Sequence, residues 1–184
     1  MKTGDIILVH SGKSFVPKFI AAIMRKYIKR NNLDSKPYHH GGTIVKIDGY
    51  FHVAEANKDG FQITRIDDAY STEAWLKRID IKTPIVPYTE LEQHKLTQSA
   101  LSYSMKVTRY DYMNFIWWLY YFLTGLWIGK NNNRLYCSEA VAELANKIRP
   151  NTFRNPQRTN PVDLAVNINY KKLVVNEYTS TYTN

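Results

Sequence analysis

The chain has 184 residues, 44% hydrophobic and 22% charged, the balance of one globular domain rather than of a disordered chain. Its one cysteine excludes an intrachain disulfide and any cysteine-rich zinc site. The net charge of +9 implies attraction to anionic surfaces without saying which.

Met1 to Asp5 lead straight into the apolar run Ile6–Val9, read as a buried strand. No signal-peptide core follows the basic start, so the chain is expected in the cytoplasm or peripheral at a membrane. Phe15 to Arg30 reads as a helix, with Val16, Phe19, Ile20, Ile23 and Tyr27 as its core stripe. Lys18, Arg25, Lys26, Lys29 and Arg30 occupy the rest. Between Lys13 and Lys36, seven basic residues stand against one acid, Asp34. Such a helix either lies on an anionic membrane surface or is the solvated face of a packed helix.

Gly42–Ile47 and Tyr50–Ala56 flank Asp48-Gly49, the sign of a hairpin with a two-residue type I′ turn. That turn sets Ile47 opposite Tyr50, Ile44 opposite Val53 and Gly42 opposite Glu55. Phe61–Ile66 and Trp75–Ile81 are further strand candidates. Thr89 and Glu92 form a capping box for a helix running to about Met105. Met113–Ile128, MNFIWWLYYFLTGLWI, falls short of the ~20 apolar residues of a membrane span and is interrupted by Asn114, Thr124 and Gly125. It reads as a buried core helix, with an aromatic surface touching lipid or acyl chains as the alternative. Pro161–Leu164 opens a turn or short helix, Lys171–Val175 reads as a last strand, and a polar tail follows from Asn176.

Cys137 sits where a helix begins. Val141, Leu144 and Ile148 follow at helical spacing, Glu139 and Glu143 lie early, Lys147 and Arg149 lie late, and Pro150 stops the helix. Unpaired backbone N–H groups and the positive dipole end favour a thiolate there. The alternative is a buried, inert cysteine acting as a small hydrophobe.

A cysteine nucleophile needs a base, and the base an orienter. The histidines are His10, His39, His40, His52 and His94. The side-chain period of two places His40 on the face of Gly42, Ile44, Val53 and Glu55, and His39 and His52 on the other. Gly41 and Gly42 are expected to leave the surface open beside the imidazole. A zinc site from His39, His40 and Glu55 is disfavoured, because adjacent strand residues point to opposite faces, and no His-Glu-x-x-His occurs. No metal or other cofactor is expected.

Gly4-Asp5-Ile6-Ile7, His40-Gly41-Gly42-Thr43-Ile44-Val45, Glu55-Ala56, Tyr110-Asp111-Tyr112 and Tyr136-Cys137-Ser138-Glu139, in that order, resemble the circularly permuted NlpC-type papain-like peptidases and amidases, the YiiX/YebB-like branch. The order His, acid, Cys is the permuted one. The chain departs at Gly41, where the family commonly has an apolar residue, and in its long aromatic insert. The resemblance implies an α+β fold over one domain, residues 1–184, with an antiparallel sheet packed against the cysteine helix. It implies Cys137 as nucleophile, His40 as base and Glu55 as orienter; Tyr136, Tyr110 and Asp5 are further candidates for substrate or oxyanion contact. It also implies hydrolysis of an amide or acyl bond through a thioester. Cell-wall peptide and lipid-linked amide are both open as substrates, as is acyl transfer, since lecithin–retinol acyltransferase-like enzymes are relatives. The basic helix Phe15–Arg30 and the aromatic run lean toward lipid. The alternative from another class is a non-enzymatic basic module binding anionic membrane or nucleic acid. No zinc-finger spacing, RNP pattern or clear helix-turn-helix supports nucleic acid as a partner.

Overall fold

A computed structural model describes residues 1–12, 14–70, 77–106, 116, 117, 119–121, 124, 126 and 135–173. Its elements run β1 (Ile6–Val9), α1 (Phe15–Arg30), β2 (His40–Ile47), β3 (Tyr50–Asn57), β4 (Gly60–Arg65), α2 (Ile66–Tyr70) and β5 (Ile79–Pro84). Then come α3 (Glu90–Met105), α4 (Cys137–Ile148), a 3₁₀ turn (Pro156–Arg158), α5 (Pro161–Val166) and β6 (Tyr170–Lys172). The fold is α+β. Six strands form one antiparallel sheet in the order β4-β3-β2-β1-β5-β6.

Local chemistry explains most boundaries. Asp48 and Gly49 both take positive φ, 49° and 84°, as a type I′ turn requires. Ile47 pairs with Tyr50 and Ile44 with Val53, the register that the turn dictates. Thr89 and Glu92 close a reciprocal capping box at the start of α3. Asn160 caps α5 by accepting from the N–H groups of Val162 and Asp163. Arg149, at the end of α4, donates to both Glu92 carboxylate oxygens at 2.8 Å and lies over the Tyr88 ring. It thereby ties α3 and α4 together.

Two strands sit elsewhere than their patterns indicate. The Phe61–Ile66 candidate starts at Gly60 and ends at Arg65. Ile66 instead opens α2, where Asp67 and Asp68 complement the first-turn dipole. The Trp75–Ile81 candidate is displaced to Ile79–Pro84, because a turn occupies residues 77 and 78; residues 75 and 76 lie outside the described residues. The last strand is Tyr170–Lys172, and residues 174–184 lie outside the description.

Both faces of the sheet are covered. Ile6 and Leu8 of β1 pack with Val141, Ala142 and Ala145 of α4. Ile7 and Val9 pack with Ile44, Val53 and Ile81, and with Ile66 and Tyr70 of α2. The α1 stripe holds at Ile20, Ile23 and Tyr27 and fails at its first two positions. Ala21, Ile23 and Met24 are buried, and Ile20, Tyr27 and Ile28 join their cluster, whereas Val16 and Phe19 face solvent. The Met113–Ile128 run is not a core helix at its described positions. Ile116, Tyr120, Thr124 and Leu126 are exposed, and Leu119 leans on the α1 cluster rather than on the sheet.

Asp80 staples the β5–β6 side. Its carboxylate takes Lys36 at 2.7 Å, Lys172 at 2.9 Å and the Tyr38 hydroxyl at 2.8 Å. Burial opposes its ionisation, but hydrogen bonds from Lys36, Lys172 and Tyr38 win and hold its pKa at about 2. Because the folded value lies below the ordinary 3.8, the contribution to stability is present above 3.8 and is lost as pH falls toward about 2. Allowing for screening by the half-exposed lysines, it amounts to about 1–2 kcal/mol. Urea unfolding across this acid range should show wild type losing that much more stability than Asp80→Asn. Parallel curves for the two proteins would mean that the network adds nothing net.

Candidate functional site

The site forms where β2 begins. His40 and Glu55 are diagonal neighbours on β2 and β3, and Glu55 is 8% exposed. His40 Nε2 donates to Glu55 Oε2 at 2.7 Å, and the Tyr70 hydroxyl donates to the same oxygen at 2.8 Å. Cys137 is the first residue of α4, and its thiol lies within hydrogen-bonding reach of the His40 ring. With Nε2 turned to Glu55, Nδ1 is the nitrogen left for sulfur.

The glycines beside His40 are filled space, contrary to the open surface expected of them. A Cβ on Gly42 would stand 2.6 Å from Val53 Cγ2 and 3.2 Å from Glu55 Cβ. One on Gly41 would stand 3.1 Å from Leu164 Cδ1. Leu164 therefore supplies the apolar bulk that Gly41 lacks.

The residues flanking Cys137 are pinned. The Tyr136 hydroxyl donates to the carbonyls of Gln157 and Thr159, both at 2.9 Å, and the Ser138 hydroxyl donates to Thr159 O at 2.7 Å. Tyr136 is thus an anchor, with its hydroxyl already engaged. Asp5 is buried apart from the group. It accepts the Lys2 N–H at 2.7 Å, and burial raises its pKa against hydrogen bonds from Lys2 and Thr83. Tyr110 lies outside the described residues. His39 stays apart from Glu55. Its Nδ1 is buried with no hydrogen-bond partner among the described residues, and burial, then His40 and His10, pull its pKa down to about 4. Tyr70 is the residue that sequence reading missed. The i, i+4 spacing of Ile66 and Tyr70, with two acids between, was the available signal for a one-turn helix.

No family model matches the chain, and no curated protein matches it. Among solved structures it is similar to metalloprotein yiiX (DUF1105) from Escherichia coli O157:H7, with a TM-score of 0.66 and 17% identity over 94% of this chain and 96% of that one. The likeness is one of fold. YiiX is also the branch that the sequence motifs resemble. Its description as a metalloprotein raises the question of a metal here. Among the described residues, no group of three His, Cys, Asp or Glu is placed to hold one. Around His40 the nearest donors are already engaged, Nε2 with Glu55 and the carboxylate oxygen with Tyr70. The residues do not fit that group.

The electrostatics of the pair are mutual. Burial works against a charged His40, but the Glu55 carboxylate, then Cys137, and hydrogen bonds to both hold its pKa well above 6.5. Burial likewise opposes a charged Glu55, and His40 and Tyr70 bring its pKa below 4.5. The raised His40 value contributes stability that is complete below 6.5 and lost as pH climbs through the folded value. The lowered Glu55 value contributes stability present above 4.5 and lost as pH falls through the folded value. The advantage of wild type over His40→Gln should therefore peak between 4.5 and 6.5 and shrink on both sides. Tyr70→Phe removes one donor from a buried carboxylate and should cost about 1–3 kcal/mol while moving the acid limb to higher pH. Thermal melts across pH measure both effects. A Tyr70→Phe curve overlying wild type would show that Tyr70 does not hold the carboxylate.

Proposed function

We propose that the protein is a cysteine hydrolase of the permuted NlpC-type papain-like kind, a single domain that cleaves an amide or acyl bond through a thioester. The reading rests on one arrangement. The thiol at the start of α4 meets an imidazole whose far nitrogen is held at 2.7 Å by a buried carboxylate. Nucleophile, base and orienter then stand in the order that acyl transfer needs.

His40 takes the thiol proton, and the imidazolium is stabilised by Glu55. The thiolate attacks the substrate carbonyl, and the oxyanion is held by the Cys137 N–H, which as the first residue of the helix has no intrahelical acceptor. The C–N bond breaks as His40 gives its proton to the leaving amine, leaving a thioester on Cys137. A water that loses its proton to His40 attacks the thioester. Sulfur leaves as the free thiol, taking that proton back. The substrate carries an amide or acyl carbonyl, in a peptide or on a lipid.

Alkylation by iodoacetamide tests the machinery without a known substrate. At pH 6 the wild-type thiol should react about tenfold faster than that of His40→Gln, because the imidazolium partner is gone. His39→Gln should match wild type, and Glu55→Gln should fall between, since an amide still accepts from the imidazole but does not stabilise its charge. Cys137→Ala should fold normally and abolish turnover of any amide substrate found by screening. The reading fails if His39→Gln slows alkylation while His40→Gln does not, or if Cys137→Ala retains turnover.

A further inference from the structure

The outward side of α1 presents an unusual combination. Phe15, Val16 and Phe19 are 80%, 59% and 43% exposed. The two phenylalanine rings, four residues apart on one side of the helix, stack with centroids 6.2 Å apart and 12° between planes. Lys18, Arg25, Lys26, Lys29 and Arg30 follow along the helix, which contains no acid. Among the described residues, no ion pair engages Lys18, Arg25, Lys26 or Lys29. A merely solvated helix face usually carries opposite charges at i, i+4. Here Arg25–Lys29 puts like charges at that spacing, which weakens an isolated helix.

We propose that α1 is a docking helix for an anionic lipid bilayer, with Phe15, Val16 and Phe19 entering the acyl boundary and the basic C-terminal half lying on the headgroups. Anionic headgroups relieve the like-charge pair and take up Lys18, Arg25, Lys26 and Lys29. Exposed aromatic and aliphatic side chains at the tip gain by leaving water. A nucleic acid satisfies the charges and leaves the stacked phenylalanines in water, which is why the bilayer is the better fit. A neighbouring segment also leaves apolar side chains in water. Leu119 packs on the α1 cluster, while Ile116, Tyr120 and Leu126 stay exposed, and Tyr is a residue of membrane interfaces. This docking is independent of the Cys137 chemistry.

The test is co-sedimentation with vesicles of phosphatidylcholine alone, or mixed with phosphatidylglycerol at about three to two. Wild type should bind the mixed vesicles and not the neutral ones, and about 0.5 M salt should weaken binding by roughly tenfold. Lys18→Glu/Lys26→Glu/Lys29→Glu should abolish binding. Phe15→Ser/Phe19→Ser leaves the charge unchanged and should also weaken binding by roughly tenfold. Both positions are exposed, so this variant should melt like wild type. A spin label on Phe15→Cys in the Cys137→Ala background gives a readout that does not rest on that variant's folding. Its nitroxide should become protected from a water-soluble relaxation agent on mixed vesicles. The proposal is overturned if wild type ignores anionic vesicles, if the phenylalanine variant binds like wild type, if the label stays in water, or if duplex DNA binds while vesicles do not.

Discussion

A carboxylate taken out of water governs the site. An unpaired buried charge costs several kcal/mol, so Glu55 requires partners that reach it inside the fold. Two arrive at one oxygen, His40 from the neighbouring strand and Tyr70 from the short helix after β4. Each constrains the chain around it. His40 must stand on the Glu55 face of β2, which leaves the register no freedom to slip. Tyr70 must come within reach of β3, which explains why β4 yields to a helix at Ile66 rather than running on. Gly42 has to be glycine because Glu55 and Val53 occupy the space above it. One buried charge thus bears on both a register and a strand end, and its strand's side chains on a glycine.

Much of this was legible because it rests on local rules. The Asp48-Gly49 turn announces its own geometry, and the period of two carries it from the turn to His40 and Glu55. The Thr89 box and the cysteine at a helix start are equally local. What failed depended on partners distant in sequence. The spacing of Val16 and Phe19 is compatible with a core stripe. The core side keeps Ile20, Ile23 and Tyr27 but adds Met24 in place of Val16 and Phe19, because Val162 waits there, almost 140 residues along the chain. The glycines beside His40 suggested free space, since a glycine says what it lacks and not what its neighbours place there; Leu164 answered that for Gly41. The aromatic run has the composition of a core helix, but of its described residues Leu119 packs on the α1 cluster and Ile116, Tyr120 and Leu126 are exposed, and composition alone does not distinguish a core from a half-wet surface.

The similarity to yiiX covers nearly the whole chain at 17% identity, and so concerns the course of the backbone. Folds host many chemistries, and a function has to be argued from side chains. The metal associated with that protein shows the difference. A shared backbone does not bring a ligand set with it, and here the nitrogen and oxygen nearest to hand are already bonded to one another.

The cysteine's position is itself a built feature. In the role proposed for it, Cys137 would lose much of its value if displaced by even an ångström, so the start of α4 should be fixed by more than its own helix. It is held from both sides. Tyr136 before Cys137 and Ser138 after it donate to the same carbonyl, that of Thr159, at 2.9 and 2.7 Å. Thr159 is in turn tied back to the Asn155 carbonyl through its hydroxyl at 2.8 Å, and Asn160 beside it caps α5. The two bonds to the Thr159 carbonyl lie in the buried interior, where water does not compete for the donors and displacement leaves polar groups unpaired. The flanking residues therefore clamp Cys137 through their own hydroxyls, which leaves sulfur to His40, whose orientation is set independently, by Glu55 from the neighbouring strand.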